Sequence, residues 1–135
     1  MTSKGHFRGA MASIENQRQD TALIISGLQC AGKNCTSSLS TEMFQPGQDK
    51  WQKVSDFQEF DEFSLFTAVS MNSQTFVFGG YHGVQKSNNV YVMVDFLWQR
   101  FEFNMRSRRV SHFSFAYGEF NFKINETSAF YFSYH

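Results

Sequence analysis

Any chemistry in this chain would have to come from its histidines, cysteines, arginines and paired glycines, and their spacing limits what they can do. His6, His82, His112 and His135 stand at no metal-ligand spacing from one another. Cys30 and Cys35 are the only cysteines, and without a second pair or a His cluster a zinc site lacks ligands. They are left as a disulfide closing a small loop or as two free thiols. Gly79-Gly80 is not followed by the Lys-Ser/Thr that a phosphate cradle requires. Nucleophile elbows and His-Glu-x-x-His helices are also missing. The sequence therefore assigns no catalytic residue, no cofactor and no metal. Asn34-Cys35-Thr36 and Asn125-Glu126-Thr127 fit the glycosylation acceptor pattern, although chance alone supplies about one such match in a chain of this composition.

The elements that carry these residues lean strongly toward β-structure. Seventeen phenylalanines stand against a single proline, Pro46, and aromatic side chains suit pleated, half-buried surfaces. At 135 residues the chain is long enough to bury a core as one domain. Twelve basic residues balance twelve acidic ones, so no overall field draws the chain to nucleic acid or an anionic membrane. No apolar run reaches 18 residues, and the first twenty lack the apolar centre of a secretory signal. The expected compartment is cytoplasmic, with an extracellular one as the alternative if the N-terminus is incomplete.

Residues 1–20 mix Gly, Ser, Gln and charge, which predicts an irregular arm with at most a weak helix over 11–19. From Thr21 an apolar run closes on Ser26-Gly27, the pattern of a buried strand. Residues 28–37 read as a loop. Two strand segments, 40–44 and 51–54, flank Pro46-Gly47, a turn in which Pro presets φ and Gly tolerates its positive values. The strands 65–71 and 75–80 make a further hairpin across Asn72-Ser73-Gln74. After a polar loop over 81–88 come a strand at 89–94 and another at 98–103.

Superposing these segments reveals an internal period near fifty residues. Each period runs apolar strand, glycine close, polar loop, strand, turn, tryptophan strand. Ser26-Gly27 corresponds to Gly79-Gly80, Glu42-Met43-Phe44 to Tyr91-Val92-Met93, and Trp51 to Trp98. A third copy starts at His112-Phe113 and continues to Ile124. The ordered set resembles the kelch repeat, in which a glycine pair follows a hydrophobic strand, a tyrosine strand comes next and a tryptophan follows a variable turn. Gly27, Trp51, Gly79, Gly80, Tyr91 and Trp98 carry the resemblance, which spans about residues 21–125. The first copy departs from the pattern with Ser26 and Phe44, and the third lacks the glycine pair.

The resemblance implies an all-β fold, an incomplete kelch-type β-propeller of antiparallel four-stranded blades. The blades lie at about 21–54 and 64–103, with a partial one from 111, behind the arm 1–20. Closed propellers take about four to eight blades, so further blades or self-association are expected. In such blades the segments 28–37, 55–62, 81–88 and 104–110 emerge on one face. There Asp56, Glu59, Asp61 and Glu62 stand at a site equivalent to Arg106, Arg108 and Arg109. The resemblance implies protein–protein interaction through this loop face, with Arg106, Arg108, Arg109, Tyr81 and His82 as the candidate binding residues. The rival readings are part of a galactose-oxidase-like or other kelch-propeller enzyme, and a non-functional repeat remnant.

Overall fold

The computed structural model describes residues 9–16, 19–57, 63–71, 74–111, 113–117, 121–125 and 129–133. The chain opens with β1 (Ala10–Asn16), β2 (Gln19–Ala31), β3 (Asn34–Gln45) and β4 (Lys50–Asp56). Next come β5 (Phe63–Ser64), β6 (Thr67–Met71), β7 (Gln74–Phe78), β8 (Tyr81–His82), β9 (Gln85–Lys86), β10 (Val90–Val94) and β11 (Leu97–Arg100). The last strands are β12 (Phe113–Tyr117), β13 (Asn121–Asn125) and β14 (Ala129–Ser133). Every pairing is antiparallel. The architecture is all-β, and among the described residues no helix is long and apolar enough to cross a membrane.

Two sheets are four-stranded meanders, β1-β2-β3-β4 and β6-β7-β10-β11, each with neighbours in chain order. The second meander is interrupted by the hairpin β8-β9, which pairs with β5 into a small sheet of its own. A third, three-stranded sheet holds β12, β13 and β14. The first strands of the sheets lie side by side, β1 against β6 and β6 against β12. No closed ring is formed among the described residues.

Register ties the first two sheets together. In the first, Glu42 faces Lys53, Met43 faces Gln52 and Phe44 faces Trp51. In the second, Tyr91 faces Arg100, Val92 faces Gln99 and Met93 faces Trp98. The same correspondence runs through the inner pairs, where Leu23 opposes Met43 as Phe76 opposes Val92. A one-residue slip would turn each buried set to the other face, so the shared register repeats one packing solution. The backbone repeats as well: Ser26 and Gly27 have φ of 48° and 110°, and Gly79 and Gly80 have 64° and 87°. At Gly80 a Cβ would stand 2.8 Å from both the Phe66 Cβ and the Ser64 carbonyl oxygen, so only glycine lets the chain pass there.

Two expectations are corrected. The segment read as an irregular or weakly helical arm contains β1, whose residues Ala10 to Asn16 pair without interruption along β2. Pairing supplies what the small Ala and Ser side chains do not signal locally. The loop expected over 28–37 is the far end of β2 and β3, turned at Gly32 and Lys33 and extending beyond the core.

The main core lies between the two four-stranded sheets. Ala12, Leu23, Ile25 and Met43 of the first meet Val77, Tyr91 and Met93 of the second, with Phe57 and Phe66 from the connection between them. Trp98 seals this contact. Its ring stacks on Phe57 with centroids 4.5 Å apart, and its indole N–H donates to the Thr41 hydroxyl at 2.9 Å. The other face of the second sheet carries a second cluster of Phe76, Phe78, Val90, Val92 and Met105.

Candidate functional site

The loops that follow β7 and β11 are fastened to each other by backbone hydrogen bonds. Gly80 N–H donates to the Arg109 carbonyl at 2.8 Å, and Arg109 N–H donates to the Ser87 carbonyl at 3.0 Å. Ser87 N–H donates back to the Gly80 carbonyl at 2.9 Å. Asn88 and Met105 close the set: Met105 N–H donates to the Asn88 carbonyl at 2.8 Å and the Asn88 amide donates to the Met105 carbonyl at 3.1 Å. Ser111 N–H donates to the Leu65 carbonyl at 3.0 Å, which adds the approach to β6. Backbone groups in loops are held this way only when the path is specific, because each would otherwise bond to water.

This clamp brings together most of the residues expected on the loop face. Arg106 and Arg108 are exposed on the loop after β11. Arg109 is not presented with them: it is buried, 6% exposed, and its backbone is drawn into the clamp. It leaves the set of solvent-facing candidates. Tyr81 is half-buried in β8. His82 is half-buried too, with its ring centroid 6.1 Å from that of Tyr91. Burial, reinforced by the charge of Arg100, lowers its pKa from 6.5 to about 4. His82 is therefore neutral at pH 7 and adds no charge to the surface.

The opposing acidic segment is described only in part. Asp56 is exposed and pairs with Lys53 at 2.6 Å, a contact of the kind that contributes about 0–1 kcal/mol at a surface. Glu59, Asp61 and Glu62 lie outside the described residues, as do His6, His112 and His135. Among the described residues, no three His, Cys, Asp or Glu side chains gather as a metal site. Cys30 and Cys35 oppose each other across β2 and β3 and are bonded, with S–S 2.03 Å. Asn34 is exposed beside them, and Asn125 ends β13. Of the motif residues, Tyr91 and Trp98 pack in the main core and Trp51 against Phe44, Gly27 and Gly79 hold positive-φ positions beside the sheets, and Gly80 joins the clamp through its backbone.

Two exposed apolar residues on this face escaped the sequence reading. Val84, at the turn of the β8-β9 hairpin, is 91% exposed, and Phe103 after β11 is 50% exposed. For Val84 the signal was Tyr-His-Gly-Val-Gln-Lys, a glycine turn between short strand-forming pairs that a polar-loop reading absorbs. The loop face thus combines two exposed arginines with exposed apolar side chains on a hydrogen-bonded frame. No protein-family model matches the chain, and no curated protein matches it.

Proposed function

We propose that the chain is a binding platform with no chemistry of its own, built of kelch-like propeller blades and contacting another protein through its loop face. The observation that carries this reading is the clamp between the Gly80–Asn88 backbone and the Met105–Arg109 backbone. It fixes Arg106 and Arg108 in solvent next to a hairpin that projects Val84. Guanidinium groups hold carboxylates bidentately, and apolar side chains on a rigid frame lose little entropy on contact. The fitting partner is an acidic protein segment with an apolar side chain among its carboxylates. The kelch-like part of the reading is supported by the repeated register and the repeated positive-φ pair in successive antiparallel meanders. Of the two compartments, the Cys30–Cys35 bond favours the extracellular one, since disulfides persist in oxidising surroundings.

Fluorescence anisotropy with a labelled peptide of alternating Asp, Glu and Phe tests the platform. Binding should weaken steeply with salt, fall at least tenfold in Arg106→Glu/Arg108→Glu, and fall further with Val84→Asp. Equal binding by the wild type and the charge-reversed variant would remove the loop face from consideration.

A further inference from the structure

We infer that Asn34 carries an N-linked oligosaccharide at the tip of the hairpin β2-β3. The inference rests on the extracellular reading of the chain and is independent of the loop-face platform. Asn34-Cys35-Thr36 is an acceptor pattern, which in sequence alone decides little. The hairpin supplies the rest. Past Ser26 and Leu39 the two strands run on as a bare ribbon, from the pair Gly27 and Ser38 to the pair Ala31 and Asn34. β1 begins at Ala10, opposite Ile25, and β4 ends at Asp56, opposite Ser40, so among the described residues no third strand pairs with the ribbon. Ser38 is buried, whereas Thr36, Cys35 and Asn34 are exposed. At about 3.4 Å per residue, Asn34 stands about 14 Å beyond Ser38. Nothing lies within 4 Å of where a Cβ on Gly32 would stand, so the turn next to Asn34 is surrounded by open space.

Strand alternation arranges the acceptor. Asn34 and Thr36 are two residues apart in β3, so their amide and hydroxyl share one face of the ribbon. Cys35 turns to the other face, where it is bonded to Cys30, and the glycan and the disulfide do not compete for space. The disulfide also points to the oxidising lumen in which this modification is made. Bare ribbon edges invite pairing by a foreign strand, and a bulky hydrated group at the tip blocks that approach. The donor is an oligosaccharide joined through its anomeric carbon to a lipid diphosphate. The Asn34 side-chain nitrogen bonds to that carbon while the carbon–oxygen bond to the diphosphate breaks. The lipid diphosphate leaves with the electron pair, and the amide gives one proton to a base of the transferase. Asn125-Glu126-Thr127 is placed differently, since Asn125 opposes both Phe113 and Ala129 with a strand on either side.

The test directs the full chain into the secretory pathway of cultured animal cells with an added leader and recovers it from cells and medium alike. Peptide N-glycosidase converts a glycosylated Asn to Asp, which peptide mass mapping reads. Most wild-type chains should show that conversion at residue 34, and the enzyme should release the glycan from the native protein without prior denaturation. Asn34→Gln and Thr36→Ala should each abolish modification at this position, and Thr36→Ser should retain it. Cys30→Ser/Cys35→Ser leaves the acceptor pattern in place and should be modified at least as fully as the wild type. Asn34 left unmodified in material that has entered the lumen, or modification confined to Asn125, overturns the inference. So does a glycan released only after unfolding, because Asn34 would then not stand clear of the core. Thiol alkylation of the same material reads the compartment separately. An unmodified Asn34 beside a closed Cys30–Cys35 bond sinks the glycan and leaves the extracellular reading standing; free thiols beside a modified Asn34 keep the glycan and remove the support the disulfide gave to that reading.

Discussion

Replacing Trp98 with Phe isolates one bond that crosses between the first two sheets. The indole N–H of Trp98 donates to the Thr41 hydroxyl at 2.9 Å, across 57 residues of sequence, and Thr41 is 0% exposed. Phenylalanine keeps a ring for the stack on Phe57 but removes the donor. Leaving a buried hydroxyl without that donor costs about 1–2 kcal/mol. The smaller ring on this half-buried site adds about 0.5 kcal/mol. A total near 2 kcal/mol lowers the melting temperature by about 7 °C, taking about 2.1 cal/mol/K of unfolding entropy per residue. Thr41→Val removes the other half of the bond at similar cost. Combining them in a double-mutant cycle by urea denaturation should return a coupling of about 1 kcal/mol, because the second substitution no longer strands a partner. Coupling below about 0.3 kcal/mol would show that the indole and the hydroxyl do not meet, and that Trp98 fixes the sheets by packing alone.

Other consequences are open to direct measurement. Gly80→Ala places a Cβ 2.8 Å from the Phe66 Cβ at a φ of +87°, which combines left-handed strain with overpacking; we expect a loss of about 3 kcal/mol, read as a drop of about 10 °C in melting temperature. His82 should stay neutral in a proton NMR titration down to about pH 4. Between about pH 4 and 6.5 the unfolded chain binds a proton that the folded chain does not, so urea midpoints should fall as the pH drops through that window, and less so in His82→Gln. A His82 that titrates at 6.5 would contradict its placement. Removing the Cys30–Cys35 bond with Cys30→Ser/Cys35→Ser opens a loop with a sequence separation of 5 and should cost at most about 2 kcal/mol, with the fold kept. Loss of folding in that variant would mean that the hairpin end supports the core, contrary to its exposed position.

Strands with a buried face were legible in the sequence because burial writes itself as apolar runs. Phe76 to Phe78 and Val90 to Val94 declare themselves in this way, whereas the two tryptophan strands, mostly exposed, were marked by their tryptophans and by the turns before them. The segment over β1 did not, since Ala10, Ala12 and Ser13 are too small to mark an alternation and their strand character comes from β2. The ends of β2 and β3 were missed for the opposite reason. Beyond Ser37 toward the tip nothing is left to bury, so Thr36, Cys35 and Asn34 are exposed and the residues look like a loop. At the candidate site, the arginine cluster was visible, but its partition was not. The backbone of Arg109, unlike that of Arg108, is bonded to Ser87 and Gly80, and such hydrogen bonds between main-chain atoms leave no trace in side-chain composition.

The hairpin β8-β9 enters and leaves the second sheet through a narrow gate, where Gly79 N–H donates to the Asn89 carbonyl at 3.0 Å. The strands on either side are therefore joined independently of what lies beyond Tyr81 and Lys86. Loop closure grows slowly with length, about 0.6 kcal/mol for each doubling, so the Gly83-Val84 tip is a place where foreign sequence can be grafted. The same property would let mutation enlarge, shorten or rewrite this tip while the sheets beneath stay as they are, making it the natural site of divergence in recognition.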